Sequence, residues 1–390
     1  MNQSADIVII GGGVMGASIA FNLAGRGHTN VVLLEARKLA AEGTGHSGAL
    51  VRQHYSQDVI TRLARRSVDI FENFDRLTGG GKVFEQTGWI KLGTEAMRPA
   101  MEKNLVRHRA LGVDARMLTI DELKAAIPGM NVEGIGSALI EPRGGYADPV
   151  ATTLGFAHRA RALGAQIREG EAATGIDVQG GRVTGVRTTR GRIATRTVVN
   201  AAGPWGAQIA AWVGVTVPLE VTREQDIVLA CDDLSLIPRM PVSNGVDRDY
   251  WRREPGDLLL VGDGHPKEIE RADPDSFKRA VDRSFVDMIM GRLSHRLPRL
   301  AARARVVRGY ASLYDVTPDW HPILGKTDVD GFVLCVGFSG HGFKLGPAIG
   351  EVIADELVGR RPGSIDVSTL GLDRFASGRL LEGSYAGNQA

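Results

Sequence analysis

The sequence contains few cysteines and almost no net charge, and both shortages exclude classes of protein. Cys231 and Cys335 are the only cysteines among 390 residues. They are too few for a disulfide framework or a four-cysteine metal site, so a reducing cytoplasm is the expected location. The 47 basic and 45 acidic side chains leave a formal net charge of +2, which gives no global field to attract nucleic acid or an anionic membrane. H-E-x-x-H and C-x-x-C motifs are absent, so the sequence predicts no zinc site.

Long uninterrupted apolar runs are lacking as well. Residues 7–25 carry no charged side chain, but three consecutive glycines interrupt them, and Asp6 rather than a Lys or Arg stands before them. We therefore expect neither a signal peptide nor a transmembrane segment. What the sequence does contain is glycine, 50 residues of it without a repeat period. This abundance predicts many tight turns and close approaches of the backbone to a ligand.

The beginning of the chain has the pattern of a βαβ unit that binds a dinucleotide. The apolar run 6–10 predicts a buried strand, Gly11-x-Gly13-x-x-Gly16 follows it, and after a helical stretch a second apolar run ends at Glu35. The three glycines permit a tight turn, the approach of a pyrophosphate and close packing of helix on strand. The helix N-terminus attracts the phosphates, and Glu35 can accept hydrogen bonds from ribose hydroxyls. An acid at this position argues against NADP.

Patterns further along the chain change repeatedly between helix and strand. In chain order they are a helix over 57–77, a capping box at Thr119 and Glu122, a helix capped by Asp148-Pro149, a β meander over 165–200 with turns at Gly180-Gly181 and Arg190-Gly191, antiparallel strands over 218–262 and a helix over 274–293. The predicted fold class is therefore α/β, with a parallel nucleotide-binding sheet interrupted by insertions that build an antiparallel second layer.

Two distant segments decide which dinucleotide is expected. VVNAAGPW at 198–205 and GFSGHGFKLGPAIGE at 337–351 are both typical of strand-to-loop transitions that return to a nucleotide site. With the glycine fingerprint, they make about residues 5–375 resemble the D-amino-acid-oxidase-like flavoproteins, nearest to sarcosine oxidase β subunits, monomeric sarcosine oxidase and glycine oxidase. The resemblance implies FAD.

The resemblance also implies an arrangement of domains and a set of cofactor-binding residues. A Rossmann-like FAD-binding domain would comprise 1–82, 148–216 and 305–375, an interleaved substrate-binding domain with an antiparallel sheet 83–147 and 217–304, and a C-terminal tail 376–390. The residues expected to bind FAD are Gly11, Gly13, Val14, Met15, Gly16, Glu35, Ala36, Arg37, Gly45, His46, Ser47, Ala202, Gly203, Trp205, Gly337, Gly340, His341, Gly342, Phe343 and Lys344.

The chemistry that the resemblance implies is oxidation of a carbon next to an amine nitrogen. A hydride passes to the flavin, and the resulting imine is hydrolysed by water. The carboxylate of an amino-acid substrate needs cationic partners, for which Arg52 and Lys344 are the candidates, with Tyr250 and His341 shaping the pocket. The alternatives are a surface salt bridge for Arg52 and a packed tyrosine without a substrate role at Tyr250. Amino acids or N-alkyl glycines are the expected substrates.

Three positions bear on flavin attachment and on the electron acceptor. Ser312 stands where monomeric sarcosine oxidase has its flavin-linking cysteine, so non-covalent FAD is expected. His46 could instead attach FAD as in dimethylglycine-dehydrogenase-like relatives, although a histidine that merely lines the site is the simpler interpretation. The lysine that assists reaction with dioxygen should lie near Leu259 or Leu260, where the sequence has no lysine.

The electron acceptor therefore stays open between O2 and an unidentified partner. One alternative is a subunit of a multi-chain dehydrogenase that passes its electrons to a partner. An NAD-dependent dehydrogenase and a flavin-binding module without turnover are two further alternatives.

Overall fold

The computed structural model describes residues 3–359, 361 and 363–384. In these residues the helices are α1 (Val14–Gly25), α2 (Asp58–Glu72), α3 (Phe74–Thr78), α4 (Arg98–Ala110), α5 (Ile120–Ala126), α6 (Pro149–Ala162), α7 (Gly206–Ala211), α8 (Arg283–Arg296), α9 (Pro298–Ala301), α10 (Gly342–Val358) and α11 (Asp373–Ala376). The strands are β1 (Gln3–Ser4), β2 (Ile7–Ile10), β3 (Val31–Glu35), β4 (Leu50–Val51), β5 (Phe84–Glu85), β6 (Trp89–Gly93), β7 (Arg116–Met117), β8 (Ser137–Glu141), β9 (Gly145–Ala147), β10 (Gln166–Glu169), β11 (Ala173–Gln179), β12 (Arg182–Thr188), β13 (Gly191–Ala194), β14 (Val198–Asn200), β15 (Glu220–Cys231), β16 (Val242–Asn244), β17 (Asp249–Glu254), β18 (Leu258–Asp263), β19 (Ala304–Val316), β20 (Ile323–Lys326) and β21 (Phe332–Val336).

A six-stranded sheet in the order β10-β3-β2-β14-β21-β20 forms the first layer. Its strands are parallel except β20, which pairs antiparallel with β21. Strands β2 and β21 consist of apolar residues alone because both faces are buried. Helices α1, α6 and α10 cover one face and the sheet β1-β13-β12-β11 covers the other, as expected for a parallel sheet. The predicted α/β class and the βαβ unit are confirmed.

An eight-stranded sheet in the order β19-β15-β18-β17-β16-β6-β8-β7 forms the second layer. Its neighbouring strands are antiparallel except β16 and β6. One face packs in a core against α8, with Val242 and Trp251 among its side chains. Because side chains alternate along a strand, Lys91, Ser243 and Tyr250 point to the opposite face. The antiparallel second layer is confirmed, whereas the predicted domain boundaries stay a prediction.

The helices and turns predicted from local sequence patterns are confirmed in part. The capping box at Thr119 and the helix that Asp148 caps are confirmed, and the predicted turns connect β11, β12 and β13. The helix predicted over 57–77 is divided at Asn73 into α2 and α3.

The helix predicted over 274–293 is wrong in its first part, since α8 begins only at Arg283. The physical reason is a buried guanidinium on the neighbouring strand. Arg223 donates to the carbonyl oxygens of Lys278 at 2.7 Å and Ala280 at 2.6 Å. Those carbonyls are therefore engaged by a side chain instead of by the N–H groups of a helix.

Candidate active site

The turn between β2 and α1 leaves backbone N–H groups available to an anion. Gly13 is the N-cap of α1 and provides no side-chain cap, so the first N–H groups of the helix keep binding capacity. Gly11 has a φ of +114°, and a Cβ there would lie 2.4 Å from the carbonyl oxygen of Ala201. A Cβ at Gly16 would lie 2.0 Å from the Gly11 carbonyl oxygen. Only glycine permits this turn and this helix packing.

The carboxylate of Glu35 closes the same turn. Its Oε2 accepts a hydrogen bond from the Gly12 N–H at 2.8 Å, and its Oε1 accepts one from the Arg37 N–H at 2.7 Å. Each oxygen retains a lone pair that a ribose hydroxyl could use. Thr44, which the sequence analysis did not identify, accepts the Val14 N–H at 3.1 Å through its hydroxyl. The β3 end and the loop after it therefore fix the helix start.

A cavity of about 450 Å³ extends from this turn between the two layers. The predicted cofactor residues that line it are Gly11, Gly13, Val14, Met15, Glu35, Ala36, Arg37, Ser47, Ala202, Gly203, Trp205, Gly340, Gly342 and Phe343. Gly16, Gly45, His46 and Gly337 line neither this cavity nor the smaller one beside it. A helix N-terminus, a carboxylate and an apolar end with Leu313 and Phe338 suit the phosphates, ribose and ring system of FAD.

The SGHG loop between β21 and α10 is held by a buried carboxylate. Asp315 accepts the Gly337 N–H at 2.6 Å through its side chain and the Ser339 N–H at 2.9 Å through its carbonyl. Ser339 has a φ of +50° and Gly340 a φ of +79°, and a Cβ at Gly340 would lie 2.4 Å from the ring of Tyr314. This strained loop brings Lys344, in the first turn of α10, to the cavities.

A smaller cavity of about 160 Å³ adjoins the larger one and shares Ser47, Gly340 and Tyr314 with it. It contains the four side chains predicted to act on the substrate. Arg52, Tyr250, His341 and Lys344 all line it, although they come from three distant parts of the chain. Lys91, Ser243 and His265 also line it, and the sequence analysis missed all three. Lys91 could have been noticed as a charged residue inside an apolar strand.

Burial gives these side chains unusual proton affinities. Burial, followed by the charge of Arg52, lowers the pKa of Lys344 well below its ordinary value and that of Lys91 to about 7. Burial and Lys344 lower the pKa of His341, so its imidazole is neutral. The Arg52 guanidinium lies over the rings of Tyr55 at 4.2 Å and Trp89 at 5.5 Å. A bound anion would favour the charged forms of Lys344 and Lys91, so the cavity suits an anionic ligand.

Tyr250 has a partner that the sequence did not indicate. Its hydroxyl donates to Oδ1 of Asp226 at 2.7 Å. Burial raises the pKa of the Asp226 carboxyl to about 7, and burial together with Asp226 raises the pKa of Tyr250. Tyr250 therefore lines the smaller cavity and is also hydrogen-bonded to a buried acid, which neither sequence interpretation included.

The positions linked to flavin attachment and oxygen lie as follows. Ser312 is buried in β19. The Nδ1 atom of His46 is 3.1 Å from the Glu42 carbonyl oxygen. Leu259 and Leu260 are buried. Lys267, after the end of that strand, forms an ion pair with Glu224 at 2.5 Å and lines neither cavity.

One buried cluster has the composition of a metal site. Ligand-type atoms of His54, His108 and Glu141 lie within 4.8 Å of one another. However, burial lowers the pKa of His54, and His108, Lys91 and Arg52 lower it further. The two basic side chains beside the cluster disfavour a divalent cation. We interpret the cluster as the support behind Arg52, which donates to the carbonyl oxygen of His54.

The comparisons with known proteins agree with this geometry. The family described as FAD dependent oxidoreductase matches residues 6–356. The chain is similar to 4-methylaminobutanoate oxidase (formaldehyde-forming) from Paenarthrobacter nicotinovorans, with 29% identity over 95% of this chain and 45% of that protein. It is 25% identical to sarcosine oxidase subunit beta from Rhodobacter capsulatus over 99% of this chain and 92% of that subunit.

The fold is also that of a solved structure. L-proline dehydrogenase from P. horikoshii superposes with a TM-score of 0.89 at 27% identity and covers 98% of this chain and 100% of its own. The chain spans less than half the length of several curated relatives, the oxidase from Paenarthrobacter included. Among the helices that the structure describes, none is long and apolar enough to cross a membrane.

Proposed function

Because the chain belongs to the family of FAD dependent oxidoreductases, we propose that it oxidises an amino acid or an N-alkyl amino acid at the carbon next to nitrogen. The substrate class is sarcosine, dimethylglycine, glycine and similar amines. The observation that carries the proposal is the smaller cavity, where Arg52, Lys91 and Lys344 meet beside the larger, nucleotide-type cavity. Lys344 is buried, which lowers its pKa, and the nearby Arg52 guanidinium lowers that pKa further. A protonated Lys344 therefore needs an anionic ligand, and a substrate carboxylate is such a ligand.

Five of the lining residues have a role in this proposal. Arg52 and Lys344 bind the carboxylate, with Lys91 as a third cation. The neutral His341 and the hydroxyl of Tyr250 border the remaining space and orient the amine. Bound FAD supplies the hydride acceptor. The eight-stranded sheet covers this space and excludes bulk water, so that the substrate carbon is held in one orientation.

FAD is held without a covalent bond in this proposal. Ser312 has a hydroxyl, which forms no thioether, and His46 lies outside the lining of both cavities with its Nδ1 beside the Glu42 carbonyl. Acid precipitation of the purified protein tests the point. Yellow flavin in the supernatant is the expected result, and flavin that stays in the pellet would contradict it.

The proposed reaction is tested by anaerobic bleaching of the flavin. The panel contains sarcosine, dimethylglycine, glycine, proline, D-alanine and simple amines without a carboxylate. Bleaching by the carboxylated amines alone is expected. Arg52→Met and Lys344→Met should each raise the half-saturating substrate concentration about 10- to 100-fold, the usual value of a charge-assisted contact. Bleaching by uncarboxylated amines alone would exclude the carboxylate site.

A second candidate concerns the electron acceptor. The likeness to a sarcosine oxidase subunit beta over nearly the whole of both chains favours a chain that works within a larger assembly and passes electrons to a partner. Gel filtration of the native protein distinguishes the two candidates. Elution as a larger complex together with slow reoxidation of the flavin in air would support the partner. Rapid reoxidation of the isolated chain would support O2.

A further inference from the structure

A polar row of residues crosses the face of the eight-stranded sheet above the smaller cavity, with an acidic side chain at one end and a basic side chain at the other. We propose that Asp226 receives, through the hydroxyl of Tyr250, the proton that the substrate amine loses before it is oxidised. Asp226 is thus a positioning residue that acts through Tyr250. This inference rests on the proposed function and adds the group that makes the amine reactive.

The row follows from strand register. Asp226 pairs with Gly262, Gly262 with Tyr250, Tyr250 with Ser243, and Ser243 with Lys91. Residues paired directly across a sheet point to the same face. The acid therefore stands on one side of Tyr250 and the cation on the other. An amino-acid substrate with its carboxylate toward Lys91 and Arg52 has its amine toward Tyr250 and Asp226.

Gly262 makes the contact between Tyr250 and Asp226 possible. It lies between them in the sheet, and a Cβ there would be 2.1 Å from Oδ1 of Asp226 and 2.3 Å from Cζ of Tyr250. Any side chain at this position would therefore occupy the space in which the hydroxyl meets the carboxylate. Because Gly262 on the intermediate strand has no side chain, the Tyr250 hydroxyl can contact the Asp226 carboxylate directly.

The surroundings of Asp226 suit a group that both takes and releases a proton. Its side chain is buried and lines neither cavity, whereas Tyr250 lines the smaller one. The charged or titratable groups that face it are Tyr250, Arg252, Glu224, Lys267, Tyr310 and Tyr314. Burial and Glu224 raise the pKa of Asp226, while Tyr250, Lys267 and Arg252 lower it, and the outcome is about 7.

The proton transfer is balanced within these groups. The substrate ammonium gives one N–H proton to the oxygen of Tyr250, and Tyr250 gives its own hydroxyl proton to Oδ1 of Asp226. The tyrosine is unchanged at the end, the carboxylate has become a carboxylic acid, and the amine is neutral with a lone pair. A neutral amine is the form that can lose a hydride from the adjacent carbon, because an ammonium nitrogen has no lone pair to stabilise the resulting cation.

The pH dependence of anaerobic flavin reduction tests the relay in Asp226→Asn, with sarcosine or the panel member that bleaches fastest. At pH 7 the limiting reduction rate should fall about 100-fold, the lower end of a general-base contribution. The acid limb of the profile should move upward to the amine's own pKa, and the rate should recover above it. Asp226→Asn and Tyr250→Phe should combine less than additively, because both interrupt one path.

Glu224→Gln is the matched control on the same strand. Removal of this neighbouring carboxylate lowers the pKa of Asp226, so the acid limb should stay or move to lower pH. If Asp226→Asn lowers the rate equally at every pH, or changes only the half-saturating concentration, the relay is overturned.

A measurement without substrate separates the relay from the proposed reaction. Infrared difference spectra between pH 5 and pH 9 should contain a protonated-carboxyl band that Asp226→Asn removes and Glu224→Gln retains. A wild-type band unaffected by Asp226→Asn would contradict a titrating Asp226. If no amine bleaches the flavin, the proposed function fails and the relay with it. If amines bleach it and the profile of Asp226→Asn is that of the wild type, the relay alone fails.

Discussion

Lys91 is buried, so its positive charge lowers the free energy of unfolding. It lines the smaller cavity, where the charge can bind a substrate carboxylate. Burial and Arg52 lower its pKa from 10.5 to about 7. A group with a lowered folded-state pKa binds its proton more tightly in the unfolded chain. The destabilisation is therefore complete below about pH 7 and disappears as the pH rises to the unfolded value. Functional sites commonly carry such costs.

Lys91→Met should consequently stabilise the protein while it weakens substrate binding. The melting temperature should rise, more at pH 6 than at pH 9.5, because only at the lower pH does the wild type carry the full cost. The half-saturating concentration of a carboxylated amine should rise about 10-fold. Thermal melts at both pH values and flavin titrations measure these effects. Lys326→Met, at an exposed position of β20, is the control and should change neither quantity.

At the scale of elements, the sequence predicts what depends on neighbouring residues. The glycine turn, its helix and Glu35 all lie within a short stretch, and local geometry dictates each of them. The relation of Asp226 to Tyr250 is different, because it depends on the pairing of three strands and on a glycine in the middle one. Lys91 lies on β6 and reaches the site because β6 pairs in parallel with β16, a strand from a distant part of the chain. No local pattern indicates either relation.

Gly16→Ala tests how closely α1 must pack on the glycine turn. Its Cβ would lie 2.0 Å from the Gly11 carbonyl oxygen, so the helix must move away and the phosphate site must widen. The purified variant should contain much less FAD than the wild type, measured as the ratio of flavin to protein absorbance. Gly25→Ala in the same helix meets no atom within 4 Å. It should keep its FAD and gain up to about 1 kcal/mol of stability.

Gly262→Ala tests the gap in the polar row. The new methyl group would collide with Asp226 and Tyr250, and overpacking of this kind costs about 1–3 kcal/mol of stability. Flavin reduction at pH 7 should slow, as is also expected for Tyr250→Phe. Gly291→Ala on α8, where no atom lies within 4 Å, controls for the general effect of a glycine replacement. Equal reduction rates in both variants would show that the gap has no role.

The whole molecule is held together by contacts between segments that are distant in the chain. Arg374 on α11 binds Asp319 through two hydrogen bonds, Nε to Oδ2 at 2.7 Å and Nη2 to Oδ1 at 2.9 Å. Both side chains are almost completely buried. The site depends on the same long-range closure, because its cations come from β4–α2, β6 and α10. The family resemblance identified Arg52 and Lys344 in the sequence, but only the complete fold brings them together.

Arg374→Met should therefore destabilise the molecule strongly, by about 3–5 kcal/mol, since it leaves the Asp319 carboxylate buried without its partner. Arg374 lowers the pKa of Asp319, so the pair stabilises the fold above the unfolded carboxyl pKa and this contribution is lost as the pH falls through the folded one. The deficit should be constant between pH 5 and 8 in urea unfolding. Arg379→Met removes an exposed pair with Asp373 and should cost less than 1 kcal/mol.

The position of β14 in the six-stranded sheet has a consequence for how the protein is made. This strand lies between β2, which a ribosome produces before it, and β21, which begins more than a hundred residues after it. At about 5–20 residues per second, β14 waits roughly ten seconds for its second neighbour. During that time its free edge can pair with other nascent chains. Shielding by a ribosome-associated chaperone would suppress such pairing, and slow translation of the segment between β14 and β21 would increase it.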